Sequence, residues 1–241
     1  MTTLHAEWTK IRTVPGTAWL LAGIVALTVP LGALAAATMR AGGDPARSAL
    51  TGVALGQAVV VVLAVAAVSG EYGTGMIRTT FTALPRRLDV LAAKGFVVSG
   101  LVLAAGAVAV AGSVLAGRAL LPEGLPLDGP VVRAAAGSVL YLALIALLAV
   151  GVAAVVRDAA AATGLVLGLL YLTPIITTLV ADPDWYDRMR ALSPMTAGIA
   201  IQATVDVAAE PIAPWSGLGV LALWAAAALA GGALSLRLRD A

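Results

Sequence analysis

The chain has 241 residues, of which 61% are hydrophobic and only 12% are charged, and its formal net charge at pH 7 is +2. A soluble domain has about 45–50% apolar and about 25% charged residues, so the composition excludes an ordinary soluble enzyme and a disordered chain. The small basic excess does not predict nucleic-acid binding, and a chain without cysteine has no disulfide, thiolate nucleophile or cysteine-ligated metal.

The first residues predict a short amphipathic helix. Leu4, Trp8 and Ile11 have the i, i+4, i+7 spacing of one helical face, while the charged residues of this stretch occupy other positions. We expect such a helix to lie in the membrane interface, with Trp8 at the depth of the lipid headgroups. A tail without structure, in which the pattern arises by chance, is the alternative.

Six long runs without a charged residue follow, and the charged residues lie in the gaps between them. A helix needs roughly 20 residues to cross the hydrocarbon core, and continuous apolarity favours helices over the alternating strands of a barrel. We therefore predict an all-α, polytopic membrane protein that forms one transmembrane domain over residues 1–241. Its six transmembrane helices are expected at about 16–39, 48–70, 95–117, 134–156, 159–181 and 213–236.

The predicted spans contain few features that suggest chemistry. None holds an Asp, Glu, Lys, Arg or His residue, which counts against a proton or ion relay in the membrane. Gly52 and Gly56 have the small-xxx-small spacing of a helix-packing face. Pro174 is predicted to kink or weaken the fifth span.

The connection between the second and third spans is the most informative segment. Ile77, Phe81 and Leu84 give it a narrow apolar helical face, and Pro85 is expected to end the helix after about three turns. A short helix with apolar side chains and a basic end suits docking into a groove on a soluble partner. A helix that lies on the lipid surface is the alternative.

The connection between the fifth and sixth spans, from 182 to 210, is also longer than a simple linker. Its apolar part, residues 195–205, is too short to cross the membrane. We predict short re-entrant or interfacial helices there, with an ordinary folded loop as the alternative.

An even number of spans places both termini on the same side of the membrane. If the N-terminus is cytoplasmic, the inside segments hold nine Lys and Arg residues and the outside segments hold six. This bias follows the positive-inside rule, so we predict cytoplasmic N- and C-termini. The abundance of Ala, Val, Gly and Arg is typical of a high-GC bacterium, which predicts the bacterial cytoplasmic membrane as the location.

The stretch from Gly70 to Lys94 resembles a known family. Its Gly-Glu-Tyr start, its central Gly75, its Pro-Arg-Arg and its closing Ala-Lys are similar to the region after the second span of ABC-2 type transporter permeases, the membrane subunits of ATP-binding-cassette exporters. The resemblance implies that this segment is a coupling helix that docks on the ATPase subunit. The implied docking residues are Glu71, Tyr72, Gly75, Met76, Ile77, Arg78, Phe81, Leu84, Pro85, Arg86 and Arg87.

Two other segments are similar to parts of the same family. The amphipathic N-terminal helix resembles the family's connecting helix, and the stretch 192–196 resembles its short re-entrant helices on the outside. In the family the second and fifth spans line the pathway. Carried to this sequence, that implies the pathway-lining residues Gln57, Val61, Tyr171, Thr173, Pro174 and Thr177.

The function implied by the resemblance is that of a permease subunit without an ATPase site of its own. It would move a hydrophobic or amphiphilic substrate out across the cytoplasmic membrane. The implied partners are an ABC ATPase dimer, a second membrane subunit (an identical copy or a paralogue) and the lipid bilayer. No catalytic residue, metal or cofactor is expected in this chain, since ATP and Mg²⁺ would bind to the ATPase.

Two other functions are compatible with a protein of this kind. The first is a membrane scaffold that binds a cytosolic partner through the predicted helix at 74–84 but transports nothing. The second is a secondary transporter, and the lack of Asp, Glu, Lys, Arg and His in the predicted spans counts against it.

Overall fold

The computed structural model describes residues 5, 8–9, 15–39, 42–73, 87–121 and 124–238, with only the backbone at Arg87. All regular structure in these ranges is helical, without a strand. In chain order the helices are α1 (Pro15–Ala37), α2 (Pro45–Leu50), α3 (Val53–Gly73), α4 (Arg87–Leu120), α5 (Gly129–Val156), α6 (Ala159–Thr177), α7 (Pro183–Leu192), α8 (Pro194–Ile199) and α9 (Pro214–Leu238). Two short 3₁₀ helices, Ala200–Gln202 and Val207–Ala209, precede α9.

Six elements are long and apolar enough to cross a membrane. They are α1, α2 together with α3, α4, α5, α6 and α9. The prediction of an all-helical, multi-pass membrane protein is therefore confirmed. Successive spans run in opposite directions, so the start of α1, the connection 74–86 and the end of α9 share one face, called here the N-terminal face. The connections 38–44, 121–128 and 178–213 share the opposite face.

Aspartates fix where several helices begin. In each case the carboxylate accepts hydrogen bonds from backbone N–H groups two or three residues further on, which otherwise have no partner in a helix. The capping residues are Asp44 for α2, Asp128 for α5, Asp158 for α6 and Asp182 for α7. A proline in the first turn of α2, α5 and α7 suits this position, since its missing N–H would have no partner there.

Helix α5 forms the centre of the bundle. It packs most extensively against α9 and also contacts α3, α4 and α6, whereas α1 packs against α3 and α4 at one side. Tyr141, Leu142, Ile145 and Leu148 of α5 are among the largest fully buried side chains. Helix α6 lies at the periphery, and apolar side chains such as Leu165 on its surface are exposed.

The predicted packing face at Gly52 and Gly56 is confirmed. A methyl group at Gly52 would lie 1.9 Å from the backbone oxygen of Thr28 in α1, and one at Gly56 would lie 2.1 Å from the Thr28 hydroxyl oxygen. Gly151 of α5 similarly approaches the backbone of Ala228 in α9. Small residues thus let helix backbones approach closely, as is usual where the packing drives association in lipid.

Several helices differ in length from the predicted spans. Helix α4 begins at Arg87, so Lys94 lies inside a helix and not before it. Glu71 likewise lies within α3. Helix α6 passes through Pro174 and ends at Thr177, short of the predicted 181.

The N-terminal segment is described only in part. His5, Trp8 and Thr9 have helical backbone, and the Thr9 hydroxyl donates a 2.8 Å hydrogen bond to the His5 carbonyl. Trp8 is exposed. Leu4 and Ile11 lie outside the described residues, so the interfacial helix stays a prediction.

The contact between Gly52 and α1 predicts the effect of a single methyl group. Gly52→Ala should lower the free energy of unfolding by at least about 1–3 kcal/mol, because the rigid backbone at Thr28 cannot move aside. Unfolding of the purified protein in mixed micelles, followed by circular dichroism, measures this change. Gly70→Ala in α3 is the matched control, since no atom lies within 4 Å of its added methyl group; equal losses in both variants would contradict the packing argument.

Candidate functional site

A buried ion pair lies where α3 and α4 leave the bundle toward the connection 74–86. The ammonium nitrogen of Lys94 is 2.8 Å from Oε1 of Glu71 and donates a further 3.1 Å hydrogen bond to the carbonyl of Ala67. Glu71 and Lys94 expose only 5% and 4% of their surface. One ammonium group therefore ties the end of α3 to the first turns of α4.

This ion pair is a buried polar link between the two helices. Over the rest of its length α4 packs chiefly against α1 and α5 and touches α3 much less. Removing one member of a buried pair leaves an uncompensated charge in a medium of low dielectric constant, which is strongly unfavourable. The two ends of the connection are therefore held together by an interaction that is costly to break.

Tyr72 extends this junction to α5 and α9. The guanidinium carbon of Arg157 lies 5.4 Å from the centre of the Tyr72 ring, within the range of a cation–π interaction. Arg157 also donates a 3.2 Å hydrogen bond to the carbonyl of Ser235 near the end of α9. Arg157 has a left-handed backbone conformation (φ 64°) that ends α5, and this turn directs its side chain across the N-terminal face. We call Glu71, Tyr72, Lys94, Arg157 and Ser235 the basal junction.

Most of the predicted docking residues lie outside the described residues. The structure describes Glu71 and Tyr72 and places both in the basal junction, and it begins α4 at Arg87 without its side chain. The remaining docking residues fall in the range 74–86, which is not described: Gly75, Met76, Ile77, Arg78, Phe81, Leu84, Pro85 and Arg86. Their assignment to a coupling helix stays a prediction.

A second polar cluster lies between the helices toward the opposite face. The Gln57 side chain donates to the Ala54 carbonyl at 3.0 Å and approaches the sulfur of Met195 at 3.3 Å. The hydroxyl of Tyr141 donates to the side-chain oxygen of Gln57, and that of Tyr171 donates to the carbonyl of Ala54. This tyrosine–glutamine cluster joins α3, α5, α6 and α8.

The predicted pathway residues differ in exposure. Gln57 and Val61 are fully buried in the single chain, and Thr177 is nearly so. Tyr171, Thr173 and Pro174 of α6 are partly buried. Hydroxyl groups near the proline bond to local carbonyls: Thr173 to Leu169 at 2.6 Å and Thr177 to Pro174 at 2.7 Å. The structure thus brings Gln57 and Tyr171 into one cluster, around Ala54, and leaves Val61 among apolar core residues.

Short helices in the connection 178–213 insert into the bundle. Residues 194–202 pack against α5 and α9, and Ala197, Gly198 and Ile201 are buried. Gly217 of α9 and Gly137 of α5 give them room: an added methyl group would lie 2.0 Å from the Ala197 oxygen or from the Ile201 side chain, respectively. The prediction of short helices in this connection is confirmed.

Asp44 holds this inserted segment to the start of α2. Its carboxylate accepts hydrogen bonds from the backbone N–H groups of Thr204 and Val205, the latter at 3.0 Å, from the Thr204 hydroxyl at 2.6 Å, and from the N–H of Arg47 at 3.1 Å. Burial by itself raises the pKa of Asp44, but the four hydrogen bonds to the ionised form outweigh it, so the pKa lies below the usual aspartate value.

Glu210 adds an ion pair at the same face. Its carboxylate lies 2.7 Å from the guanidinium of Arg47 and 3.8 Å from that of Arg190. The guanidinium of Arg133 in α5 donates to the carbonyl of Ala203. Four elements, α2, α5, α7 and the segment before α9, are thus joined by charged groups on the opposite face.

Sequence reasoning missed several of these residues. Lys94 was visible as a basic residue at the far end of a connection that begins with an acidic one, but nothing local shows that the two side chains meet. Tyr141 and Met195 look like ordinary core residues in an apolar context. Asp44 precedes a proline and reads as a turn, although an aspartate before proline is also a signal for a helix start.

Among the residues that the structure describes, there is no group of three or more His, Asp or Glu side chains that could hold a metal ion. The polar groups described above bond mainly to each other and to backbone atoms, which links helices together. No protein-family model matches the chain, and no curated protein sequence matches it either.

The burial of the ion pair predicts a large cost for breaking it from one side. Lys94→Met should lower the free energy of unfolding by about 3–5 kcal/mol, because Glu71 stays buried after it loses the ammonium group 2.8 Å away. The double variant Glu71→Gln/Lys94→Met should recover most of that loss, since neither charge is left. Unfolding in mixed micelles measures these two variants and the single variant Glu71→Gln as a double-mutant cycle.

Arg47→Met is the control for this cycle. It removes a 39% exposed cation from the pair with Glu210, and Glu210 keeps Arg190 at 3.8 Å, so this variant should cost less than Lys94→Met. A double variant whose loss equals the sum of the two single losses would show that Glu71 and Lys94 do not interact.

The lowered pKa of Asp44 predicts a stability difference that depends on pH. Its folded pKa lies below the unfolded value of about 3.9, so the carboxylate stabilises the fold fully above that value and loses its effect as the pH falls through the folded pKa. The midpoint of thermal unfolding, measured from pH 3 to pH 7, should be lower for Asp44→Asn than for the wild type at pH 7. The two midpoints should approach each other at pH 3.

Asp206→Asn provides the control at the same face. Asp206 is exposed and has a left-handed conformation that asparagine also tolerates, so its replacement should change little at any pH. A gap between wild type and Asp44→Asn that stays constant down to pH 3 would contradict the role of the Asp44 charge.

Proposed function

We propose that this chain is the membrane subunit of an exporter driven by a separate ATP-binding-cassette ATPase. The observation that carries the proposal is the buried Glu71–Lys94 pair in a six-span protein. The pair joins the two helices that flank the connection 74–86. The sequence of that connection predicts a helix with an apolar face, an end at Pro85 and basic residues after it, which favours docking on a partner.

The proposed docking element is the helix predicted over residues 74–84. Ile77, Phe81 and Leu84 would enter an apolar groove on the ATPase, and Arg86 with Arg87 would meet acidic groups at its rim. ATP and Mg²⁺ would be bound by the ATPase dimer alone. The N- and C-termini would lie in the cytoplasm of a bacterial cell, on the same side as the ATPase.

Motion of the docking helix would reach both flanking spans together. Because Lys94 bonds to Glu71 and to the carbonyl of Ala67, α3 cannot move along the membrane normal without α4 unless this pair breaks. Tyr72 and Arg157 would pass the displacement to the end of α5. A rigid connection of this kind suits the transfer of work from a nucleotide-driven motor.

The pathway would form with a second membrane subunit. Gln57 and Val61 are buried within one chain, so a route along α3 has to open by separation of α3 from its neighbours. Apolar side chains on the outer surface of α6, such as Leu165 and Leu172, are available to contact a partner or lipid. The mild polarity of Tyr171 and Thr173 suits a hydrophobic or amphiphilic substrate that leaves the cell.

The coupling role predicts a specific loss of partner binding. Phe81→Asp should weaken binding of the partner ATP-binding-cassette ATPase about thirtyfold or more, because it places a charge in the centre of an apolar contact. It should also abolish the change in ATPase turnover that the membrane subunit causes. Both are measured on the complex reconstituted in nanodiscs.

Thr79→Asp is the matched control. It introduces the same charge, but residue 79 lies on the opposite side of the predicted helix from residue 81. Binding and turnover should stay near wild type in this variant. Equal binding by wild type and Phe81→Asp would overturn the coupling proposal. Binding that depends on Phe81 without any effect on turnover would favour a scaffold that transports nothing.

A further inference from the structure

An apolar groove lies on the outer surface of the bundle between α4 and α9, with α5 as its floor. Its volume is about 570 Å³, within the range of about 300–1,000 Å³ that is typical of ligand pockets. The groove is open to the side, toward the region where lipid surrounds the helices. Its walls include Leu91, Gly95, Ser99, Leu147, Ala230 and Ala233.

The groove extends over one half of the membrane. On α4 its lining runs from Leu88, next to the N-terminal face, to Ser99. At 1.5 Å per residue this distance is roughly 16 Å, which is about half of the 30 Å hydrocarbon core. The groove is therefore as long as the tail region of a single leaflet.

The lining offers hydrocarbon contact and almost no polar group. Ser99 is the only residue of the lining with a polar side chain, and its hydroxyl already donates to the carbonyl of Gly95 at 2.7 Å. Gly95 keeps the floor clear, since a methyl group there would lie 3.4 Å from Leu147. Phe96 at the rim is 70% exposed. A polar or charged ligand would lose its hydration here without any replacement.

A positive charge lies at the mouth of the groove. Arg237 follows Ala233 by four residues and Ala230 by seven, so the three residues share one face of α9. The Arg237 side chain is exposed at the last turn of α9, on the N-terminal face. A phospholipid whose tail fills the groove would have its phosphate at the level of Arg237.

We propose that the groove is a binding site for an anionic phospholipid of the leaflet on the N-terminal face. One acyl chain fills the space between α4 and α9, and Arg237 binds the phosphate. The length of the groove, its apolar lining and the cation at its mouth match the tail and headgroup of the same molecule. The proposal does not depend on the proposed export function, since it concerns a lipid held on the surface of the bundle.

Native mass spectrometry of the intact chain tests the site. The protein is released from micelles that contain phosphatidylglycerol or phosphatidylcholine with identical acyl chains, and the retained lipids are counted. We expect phosphatidylglycerol to be retained about fivefold better, the ratio that one surface arginine gives for an anionic lipid. Arg237→Gln should bring the two lipids to equal retention.

Filling the groove should remove the bound lipid irrespective of its headgroup. Ala230→Trp places a large ring between α4 and α9, and Ala92→Phe does so from the facing helix. Residues 92 and 230 are both exposed, so both variants should keep the helix content of the wild type. Either variant should reduce lipid retention at least threefold. Only a variant whose circular dichroism spectrum matches that of the wild type is used for this comparison.

Two controls separate the groove from general effects. Ala227→Trp adds the same ring to an exposed position of α9 outside the groove, and Arg118→Gln removes the same charge from the opposite face at the other end of α4. Neither should change the retention of phosphatidylglycerol. If the folded Ala230→Trp and Ala92→Phe variants retain as much lipid as the wild type, the groove is not the site.

Another result would identify a different occupant. If the wild type is a dimer that retains no lipid and Ala230→Trp converts it to a monomer, a second copy of the chain covers the groove and the lipid proposal is overturned. Equal retention of the two lipids by the wild type would overturn the role of Arg237 and with it the anionic specificity.

Discussion

The buried ion pair between Lys94 and Glu71 holds together the two helices that flank the connection 74–86 on the N-terminal face. Neither charge could remain there alone, because a medium of low dielectric constant penalises an isolated ion far more than a pair. The pair therefore fixes the position of α3 relative to α4 at Glu71 and Lys94. The basal junction adds Tyr72 and Arg157 to this constraint and so includes the end of α5.

Helix α5 connects the two faces of the molecule. Arg157 at its end joins the basal junction, Tyr141 in its middle bonds to Gln57, and Arg133 near its start holds the carbonyl of Ala203. Between these points its surface is closely packed against α9, with Gly151 against the backbone of Ala228. A bundle with such a central helix responds to a displacement at one face by a concerted shift, because close-packed interiors do not deform continuously. This property fits the proposed transfer of work from an ATPase.

Helix α4 takes part in both the proposed coupling and the proposed lipid site. One side of its first turns carries Lys94 and faces α3, while Leu91 and Gly95 line the groove toward α9. A lipid tail in that groove would fill the space beside α4 on the side that faces α9. The exposed apolar surface there is continuous with the rest of the lipid-facing bundle, so occupation by lipid requires no change of fold. The same helix would then carry both the mechanical link and a contact with the bilayer.

The sequence by itself determined that the chain is an all-helical, multi-pass membrane protein, because span length and the exclusion of charge from apolar runs are local properties. It also identified the packing glycines Gly52 and Gly56 and the short helices before α9. Only the tertiary structure decided that Lys94 meets Glu71, that Gln57 meets Tyr141 and that Asp44 holds the segment around Thr204. These contacts join residues far apart along the chain, and their partners depend on how the helices rotate and tilt in the bundle. Hydrophobic patterning leaves that rotation open in spans that are apolar on every side, so it is set only when the helices pack.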